Sequence, residues 1–148
     1  PAAGLAELRR VARGPVVVAT WDPAFRGDFW LIGRYLPKVR VKDAAGFPPI
    51  AAIAAALGGT SAVEPLPVPP DCVDGFLGAF WARPEAYLDP GVRAGMSTLA
   101  AAGEDVVQAG LSRLAAELAS GEWDRRYGHL RTLPELDLGY RLITATPV

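Results

Sequence analysis

The sequence has 148 residues, of which 51% are hydrophobic and 21% charged, and its formal net charge is -1. This balance is typical of a globular protein that buries a core, and it argues against disorder. A charge so close to zero gives no attraction to phosphate backbones or anionic lipids, so we expect neither a nucleic-acid partner nor a membrane partner. The expected partner is a small molecule or another protein.

The chain has a single cysteine, Cys72, which excludes an intrachain disulfide and favours a reducing compartment, so the cytoplasm is the expected location. Neither a second cysteine nor a nearby histidine accompanies it, and a buried structural role is favoured over a nucleophile or metal ligand. No apolar run approaches the ~20 residues that a membrane span needs, and the first residues do not have the pattern of a signal peptide.

The first predicted elements are a helix and a strand. Apolar residues recur at helical spacing from Leu5 to Ala12, and Gly14 is expected to end that helix with a positive φ. The β-branched run 16–19 follows without alternation, which is typical of a strand buried on both faces of a parallel sheet. A helix followed by such a strand predicts an α/β fold.

Two further strands are predicted. Residues 62–68 alternate between apolar and polar positions, but their prolines place them at a sheet edge, and residues 138–145 form the last strand. The other segments are interpreted as helical or wrapped by protein: 28–36, 47–57 with a stop at Gly58-Gly59, 73–81, 90–102, 105–120 with a stop at Gly121, and 122–127.

Three strands do not complete the expected sheet. A strand buried on both faces needs a hydrogen-bonding neighbour on each edge, because each unpaired buried backbone group costs about 1 to 3 kcal/mol. Both candidate neighbours have the features of edge strands. The chain begins at Pro1, which allows a removed initiator methionine, a trimmed chain or a missing upstream portion, and we favour a missing N-terminal half.

Residues 8–18, Leu-Arg-Arg-Val-Ala-Arg-Gly-Pro-Val-Val-Val, resemble the helix-to-strand segment in the middle of class I S-adenosylmethionine-dependent methyltransferases, in which an acidic residue, here Glu7, precedes an Arg-Val pair. Among these enzymes the chain is most similar to the small-molecule type related to ubiquinone and menaquinone biosynthesis. The resemblance implies that residues 16–20, 63–68 and 138–145 correspond to the fifth, sixth and seventh strands of a Rossmann-like sheet.

The resemblance further implies that the whole chain, 1–148, is the C-terminal part of one methyltransferase domain, with helical substrate or lid insertions at about 24–60 and 71–130. The family's cofactor, S-adenosylmethionine, is held by a Gly-rich loop after the first strand and by polar residues after the second and third. This chain has none of these, and Gly58-Gly59 follows a helix rather than a strand. No cofactor-binding residue is therefore assigned to it.

The carboxyl end of the first strand is the expected substrate site, because ligands of open α/β sheets bind there. Thr20, Trp21 and Asp22 lie at this end, and Asp22 is expected to face the mouth of the pocket. Phe25, Trp30 and Tyr35 are interpreted as a lid over it, and the alternative for each aromatic residue is an ordinary place in the core.

Other candidates have less support. His129 is the only histidine and could act as a general base, but a solvated loop position is the favoured interpretation. Asp71 and Asp74 could share a helix face, although Asp71 is better placed as an N-terminal cap. The arginines within 123–127 could hold an anionic group, and local ion pairing is the commoner arrangement. No metal site is predicted.

Two functions remain open from the sequence. The first is the substrate-side half of a methyltransferase acting on a small molecule, inactive alone because the cofactor-binding half is absent. The second is a free-standing α/β module that binds a small molecule or a protein and oligomerises through its sheet edge. The corresponding partners are a second copy in a homodimer or the missing N-terminal half. Hydrolases and oxidoreductases are disfavoured, because neither a Gly-x-Ser-x-Gly turn nor a dinucleotide loop is present.

Overall fold

In the computed structural model of the protein, residues 2–39 and 46–146 are described. They form two compact units. The sheet unit comprises residues 2–27, 46–67 and 139–146, and the helical unit comprises residues 28–39 and 68–138. Within the described residues, no helix is both long and apolar enough to cross a membrane.

The sheet unit contains three strands: β1 (Val16–Trp21), β2 (Thr60–Pro65) and β3 (Tyr140–Thr146). Their order is β1-β3-β2, and β3 runs antiparallel to both neighbours. The strands β1 and β2 are therefore parallel to each other and occupy the two edges of the described sheet.

Two helices, α1 (Ala2–Val11) and α2 (Ile50–Leu57), belong to the same unit. They bury a cluster with the sheet, and every member of that cluster is aliphatic. Its fully buried members are Val16, Ile53, Leu57, Ile143 and Ala145, with Leu5, Ala12, Val18 and Ile50 packed against them. This buried cluster is therefore made of aliphatic side chains without any aromatic ring.

The predicted burial of β1 on both faces is wrong. Val16 is 3% exposed and belongs to the core, whereas Val17 is 56% exposed. Successive side chains of a strand point to opposite faces, so only one face of β1 is covered by the described part of the chain. A run of β-branched residues has the same composition whether one face or both faces of the strand are buried. The neighbour of β1 also differs from the prediction, because β1 pairs with an antiparallel strand and not with a parallel one.

The last strand is also placed differently from the prediction. It was expected to have edge character, but β3 lies between the other two strands and is paired on both sides. The edge position of β2 is confirmed, although the strand covers Thr60–Pro65 and not 62–68. Val68 instead forms an isolated bridge with Leu136 in the helical unit.

The helical unit begins with a π-helix at Leu31–Tyr35, which is followed by several short helices and one longer helix. Two 3-10 helices cover Pro84–Leu88 and Gly128–Thr132. The α-helices of the unit include α3 (Pro90–Ala94), α4 (Ser97–Ala102), α5 (Glu104–Ala119) and α6 (Glu122–Tyr127). The bounds of α5 and α6 confirm the predicted helices at 105–120 and 122–127. The predicted helix at 90–102 is split in two around Met96, which is buried.

The core of the helical unit is rich in aromatic side chains. Its largest fully buried members include Trp30, Tyr87 and Trp123, together with Leu31, Leu36 and Leu114. Trp30 stands at the centre of this core, with its ring centroid 5.2 to 6.1 Å from five others, those of Phe29, Tyr35, Tyr87, Trp123 and Tyr127. The stretch 28–36 is therefore wrapped by protein, as predicted.

The predicted helix at 73–81 is wrong, because this segment forms turns. Val73 is 97% exposed, and Asp71 therefore has no helix to cap. Tertiary hydrogen bonds hold the segment: Arg83 Nη2 donates to the carbonyl of Cys72 at 2.6 Å, and Trp81 Nε1 donates to that of Val68 at 3.0 Å.

The predicted glycine stops have mixed outcomes. Gly58 and Gly121 have φ values of 65° and 73°, as expected of residues that close a helix. Gly14 has no positive φ, and α1 ends earlier, at Val11. The carbonyl of Gly14 instead accepts a hydrogen bond from Arg9 Nη1 at 3.3 Å.

Candidate functional site at the end of strand β1

The site predicted at the carboxyl end of β1 begins with the backbone around Asp22. The amide of Asp22 donates to the carbonyl of Gly139 at 2.9 Å, which continues the β1–β3 pairing past Trp21. The Asp22 carboxylate accepts a hydrogen bond from the amide of Ala24 at 2.9 Å, and the Asp22 carbonyl accepts one from the amide of Phe25 at 3.0 Å. Asp22 thus shapes a turn that brings Phe25 back over the end of the sheet.

Two aromatic rings lie close to Gly139, the residue that precedes β3. A Cβ atom at Gly139 would lie 2.7 Å from Phe25 Cγ and 2.8 Å from Trp21 Nε1, so no larger residue fits without moving them. Gly139 also has a φ of 90°, which side chains rarely tolerate. The absence of a side chain at this position therefore allows both rings to lie directly against the backbone of the sheet.

The cluster is completed by Phe47 and Arg141. The rings of Trp21 and Phe47 are 5.7 Å apart in an edge-to-face arrangement. The Arg141 guanidinium lies 5.5 Å from the centre of the Phe25 ring, a distance at which a cation is attracted to an aromatic face. Trp21, Asp22, Phe25 and Phe47 are each only partly buried, so parts of their side chains face solvent.

Thr20 precedes Trp21 in β1, but its side chain has less evidence for a role in binding. Its hydroxyl is 3.5 Å from the carbonyl of Trp21, at the outer limit of a hydrogen bond. The structure therefore brings together four of the six predicted substrate residues, Thr20, Trp21, Asp22 and Phe25, within the sheet unit.

The other two predicted residues, Trp30 and Tyr35, belong to the core of the helical unit. Trp30 is 1% exposed, and its indole donates to the carbonyl of Trp81 at 2.9 Å. The Tyr35 hydroxyl donates to Glu117 at 2.5 Å. Both polar groups have structural partners, so the alternative that the sequence left open, a place in the core, accounts for them.

Glu117 is the centre of a charge cluster in the helical unit. It accepts two hydrogen bonds from Arg34, at 2.8 and 3.0 Å, and one from Arg113 at 2.9 Å. The hydrogen bonds from Arg34, then those from Tyr35 and Arg113, lower the pKa of Glu117 to about 2. Burial and the hydrogen bond to Glu117 raise the pKa of Tyr35, so its hydroxyl stays protonated. The cluster connects the π-helix to α5 through side-chain hydrogen bonds.

The remaining candidates gain no catalytic neighbours from the structure. His129 is exposed in the 3-10 helix Gly128–Thr132. Cys72 is partly exposed and not buried as expected, and its thiol lies 3.9 Å from the carbonyl of Asp74. Glu122 pairs with Arg125 at 2.7 Å and with Arg126 at 3.6 Å, which confirms local ion pairing in that segment.

Three members of the cluster were not predicted from the sequence. Phe47 was interpreted as the opening of a helix, and Gly139 and Arg141 as part of the last strand. A glycine inside a predicted strand is a signal of close approach by another group, and Arg141 follows Gly139 by two residues in the predicted strand 138–145. Neither signal says which rings approach, because that depends on the strand pairing.

The described residues do not fit an S-adenosylmethionine site. The family's cofactor loop needs a strand, a Gly-rich loop and a helix in that order. Gly58 and Gly59, with φ values of 65° and 70°, instead lie between α2 and β2. No group of three or more His, Cys, Asp or Glu side chains gathers into a metal site in the part of the chain that is described.

No family model matches the sequence, and no curated protein matches it. Among solved structures, the chain is similar to a protein of Anabaena variabilis described as a "putative methyltransferase from antibiotic biosynthesis pathway". The two share 37% sequence identity, with a TM-score of 0.89, over 98% of this chain and 60% of that protein. The chain therefore has a methyltransferase-like α/β fold and spans less than two thirds of the length of its neighbour.

Proposed function

We propose that the chain is the substrate-side part of an S-adenosylmethionine-dependent methyltransferase that acts on a small molecule. The observation that carries this proposal is the similarity to the Anabaena protein, which extends over 98% of the chain at 37% identity. At that identity, with a TM-score of 0.89, the match concerns both sequence and fold. The neighbour's antibiotic pathway is consistent with a small-molecule acceptor.

In this proposal the chain supplies the acceptor site at the end of β1, and residues outside it supply the cofactor site. Methyl transfer requires chiefly that the acceptor atom and the methyl group be aligned, so a site that holds the acceptor contributes directly to the rate. A general base is needed only where the acceptor must lose a proton. The absence of a cofactor loop from the described residues predicts that the chain alone does not bind the cofactor.

The single cysteine supports a cytoplasmic location.

The proposal is tested with a chimera. The 40% of the Anabaena protein that this chain does not match would be joined to the chain in that protein's own order. Calorimetric titration is expected to show S-adenosylmethionine binding to the chimera and none to the 148-residue chain. Tight binding to the chain alone would contradict its assignment as the substrate-side part. A folded chimera, checked by circular dichroism, that binds no cofactor would contradict the methyltransferase assignment.

A second function, an α/β module that associates through its sheet edge, is favoured by one observation. Strand β1 lies at an edge of the described sheet, and its Val17 is 56% exposed, as is much of Leu8 and Val11 on α1. An exposed apolar edge strand is a template for pairing with another chain. Light scattering over a range of concentrations tests this function, because a monomer at all concentrations contradicts self-association.

A further inference from the structure

The described chain passes between the two units next to residues 28, 68 and 138, and hydrogen bonds join the segments that begin or end at these places. The indole of Trp30 donates to the carbonyl of Trp81 at 2.9 Å, and the indole of Trp81 donates to the carbonyl of Val68 at 3.0 Å. Val68 in turn exchanges two backbone hydrogen bonds with Leu136, at 2.9 and 3.0 Å. These four residues form one continuous chain of hydrogen bonds, which we call the clasp.

The clasp is shielded from water. Trp30 is 1% exposed, Trp81 is 0% exposed and Val68 is 3% exposed. A buried donor or acceptor that loses its partner bears the cost of its desolvation, so these bonds cannot be exchanged for bonds to water unless the unit opens. Each bond of the clasp joins two residues of the helical unit, so the clasp ties the ends of that unit to one another.

A hydrophobic core of its own supports the clasp. The buried cluster of the helical unit draws on both of its segments, with Trp30 and Leu36 from the first and Leu114 and Trp123 from the second. It is the larger of the two buried clusters in the described part of the chain, and all its members belong to the helical unit. Hydrophobic stabilisation grows with the apolar area removed from water, so this core stabilises the helical unit by itself.

The sheet unit has less support within the described residues. Its buried cluster is smaller, and Leu8, Val11 and Val17 are 47%, 58% and 56% exposed. We propose that the clasp and its core make the helical unit a separate cooperative folding unit, which keeps its native structure when the sheet unit unfolds. The inference does not depend on the proposed function, because it concerns only burial and hydrogen bonds within this chain.

The test uses the four tryptophan indole N–H signals in nitrogen-15 NMR of the 148-residue chain. Trp21 reports on the sheet unit, and Trp30, Trp81 and Trp123 report on the helical unit. The signal lost in Trp21→Phe identifies Trp21. Ile143→Asp is designed to unfold the sheet unit, because Ile143 is 0% exposed in an aliphatic cluster and an unpaired buried charge is costly.

In Ile143→Asp we expect the Trp21 signal to move to its position in concentrated urea, while the other three signals keep their native positions. Leu114→Asp is the matched control, because Leu114 is 0% exposed in the core of the helical unit. This control should move those three signals to their positions in urea. If Trp21 keeps its native position in Ile143→Asp, Leu57→Asp is added, since Leu57 is also 0% exposed in the aliphatic cluster.

A second comparison tests the clasp itself, in the chain that carries Ile143→Asp. Trp81→Phe removes the donor to the Val68 carbonyl. Trp123→Phe removes an equally buried indole whose nitrogen has no hydrogen-bond partner among the described residues, so it leaves the clasp intact. The Val68 amide should therefore exchange with deuterium at least tenfold faster in Trp81→Phe than in Trp123→Phe.

Three results would overturn the inference. The first is the loss of all four native signals in Ile143→Asp, and the second is the survival of the three helical-unit signals in Leu114→Asp. The third is equal exchange of the Val68 amide in Trp81→Phe and Trp123→Phe. None of these results bears on cofactor binding by the chimera, so this inference and the proposed function can fail separately.

Discussion

The helical unit and the sheet unit use their aromatic side chains in different ways. In the helical unit, Trp30 and Trp123 are buried among other rings, and the indole of Trp30 has a backbone acceptor at 2.9 Å. In the sheet unit, the core is aliphatic and the rings of Trp21 and Phe25 remain partly exposed at the end of β1. The same residue type therefore holds one unit together and forms a surface on the other.

This difference shows why aromatic content is a poor guide to a binding site. A buried ring contributes its full area to stability, so a cluster around Trp30 needs no ligand to explain it. The rings of Trp21 and Phe25 are less completely buried, so part of their surface remains available to a ligand. The burial of the ring, and not its identity, separates the two interpretations.

The largest expected effect comes from removing the central ring of the helical unit. Trp30→Ala should lower the free energy of unfolding by about 3 to 5 kcal/mol, because it creates a cavity and leaves the carbonyl of Trp81 without its donor. Trp21→Ala should cost clearly less, because that ring is only partly buried. Urea unfolding followed by circular dichroism measures both. Equal losses would remove the distinction between the units.

The next effect concerns Gly139. Gly139→Ala should cost more than Gly58→Ala by about 1 to 3 kcal/mol, because the new methyl group overpacks the rings of Phe25 and Trp21. Gly58 is the matched control: it belongs to the same unit and has a positive φ, but open space surrounds its Cβ position. Urea unfolding gives the difference, and a shifted Trp21 indole signal in Gly139→Ala alone locates it. Similar costs for the two variants would mean that the rings do not depend on Gly139.

A third prediction tests the charge cluster that ties the π-helix to α5. Glu117→Gln should cost about 1.5 to 3 kcal/mol at neutral pH, the usual range for hydrogen bonds to a charged group. The folded-state pKa of Glu117 is about 2, below its ordinary value of 4.5, so its stabilisation is present above pH 4.5 and is lost as the pH falls toward 2.

Unfolding midpoints between pH 6 and 2 should therefore fall less steeply in Glu117→Gln than in the unmodified chain. Glu135→Gln, at an exposed position, is the control and should follow the unmodified chain. An unchanged acid dependence in Glu117→Gln would show that the cluster does not stabilise the helical unit.

The smallest effect is expected on the exposed face of β1. Val17→Thr should change the free energy of unfolding by less than ~0.5 kcal/mol, because Val17 is 56% exposed. Val16→Thr should cost about 1 to 3 kcal/mol, since it places a hydroxyl in the aliphatic core. Thermal unfolding of the pair provides the measurement. A large loss from Val17→Thr in the 148-residue chain would show that this face is covered after all.

Local patterns were sufficient for several elements. The helix predicted at 105–120 is found at Glu104–Ala119, because its apolar side chains repeat at the helical period over four turns. The stops at Gly58-Gly59 and Gly121 were predicted for a related reason: a positive φ suits glycine whatever surrounds it.

The segment 73–81 had apolar residues at helical spacing and yet forms turns. Its backbone is held by Arg83 and Trp81, whose hydrogen bonds to Cys72 and Val68 compensate for the missing helical ones. Such bonds join residues 11 and 13 positions apart, and a helical period contains no information about them.

The sequence by itself determined the helix α5, the stops at Gly58 and Gly121, the presence of three strands and the position of Trp21 and Asp22 at a strand end, because these depend on residues close together in the chain. The tertiary structure alone decided that β3 separates β1 from β2 and that Phe47, Gly139 and Arg141 join Trp21 and Phe25. It also decided which rings are buried. Strand order and register arise from contacts between distant segments, and those contacts turned a predicted strand end into a candidate binding site.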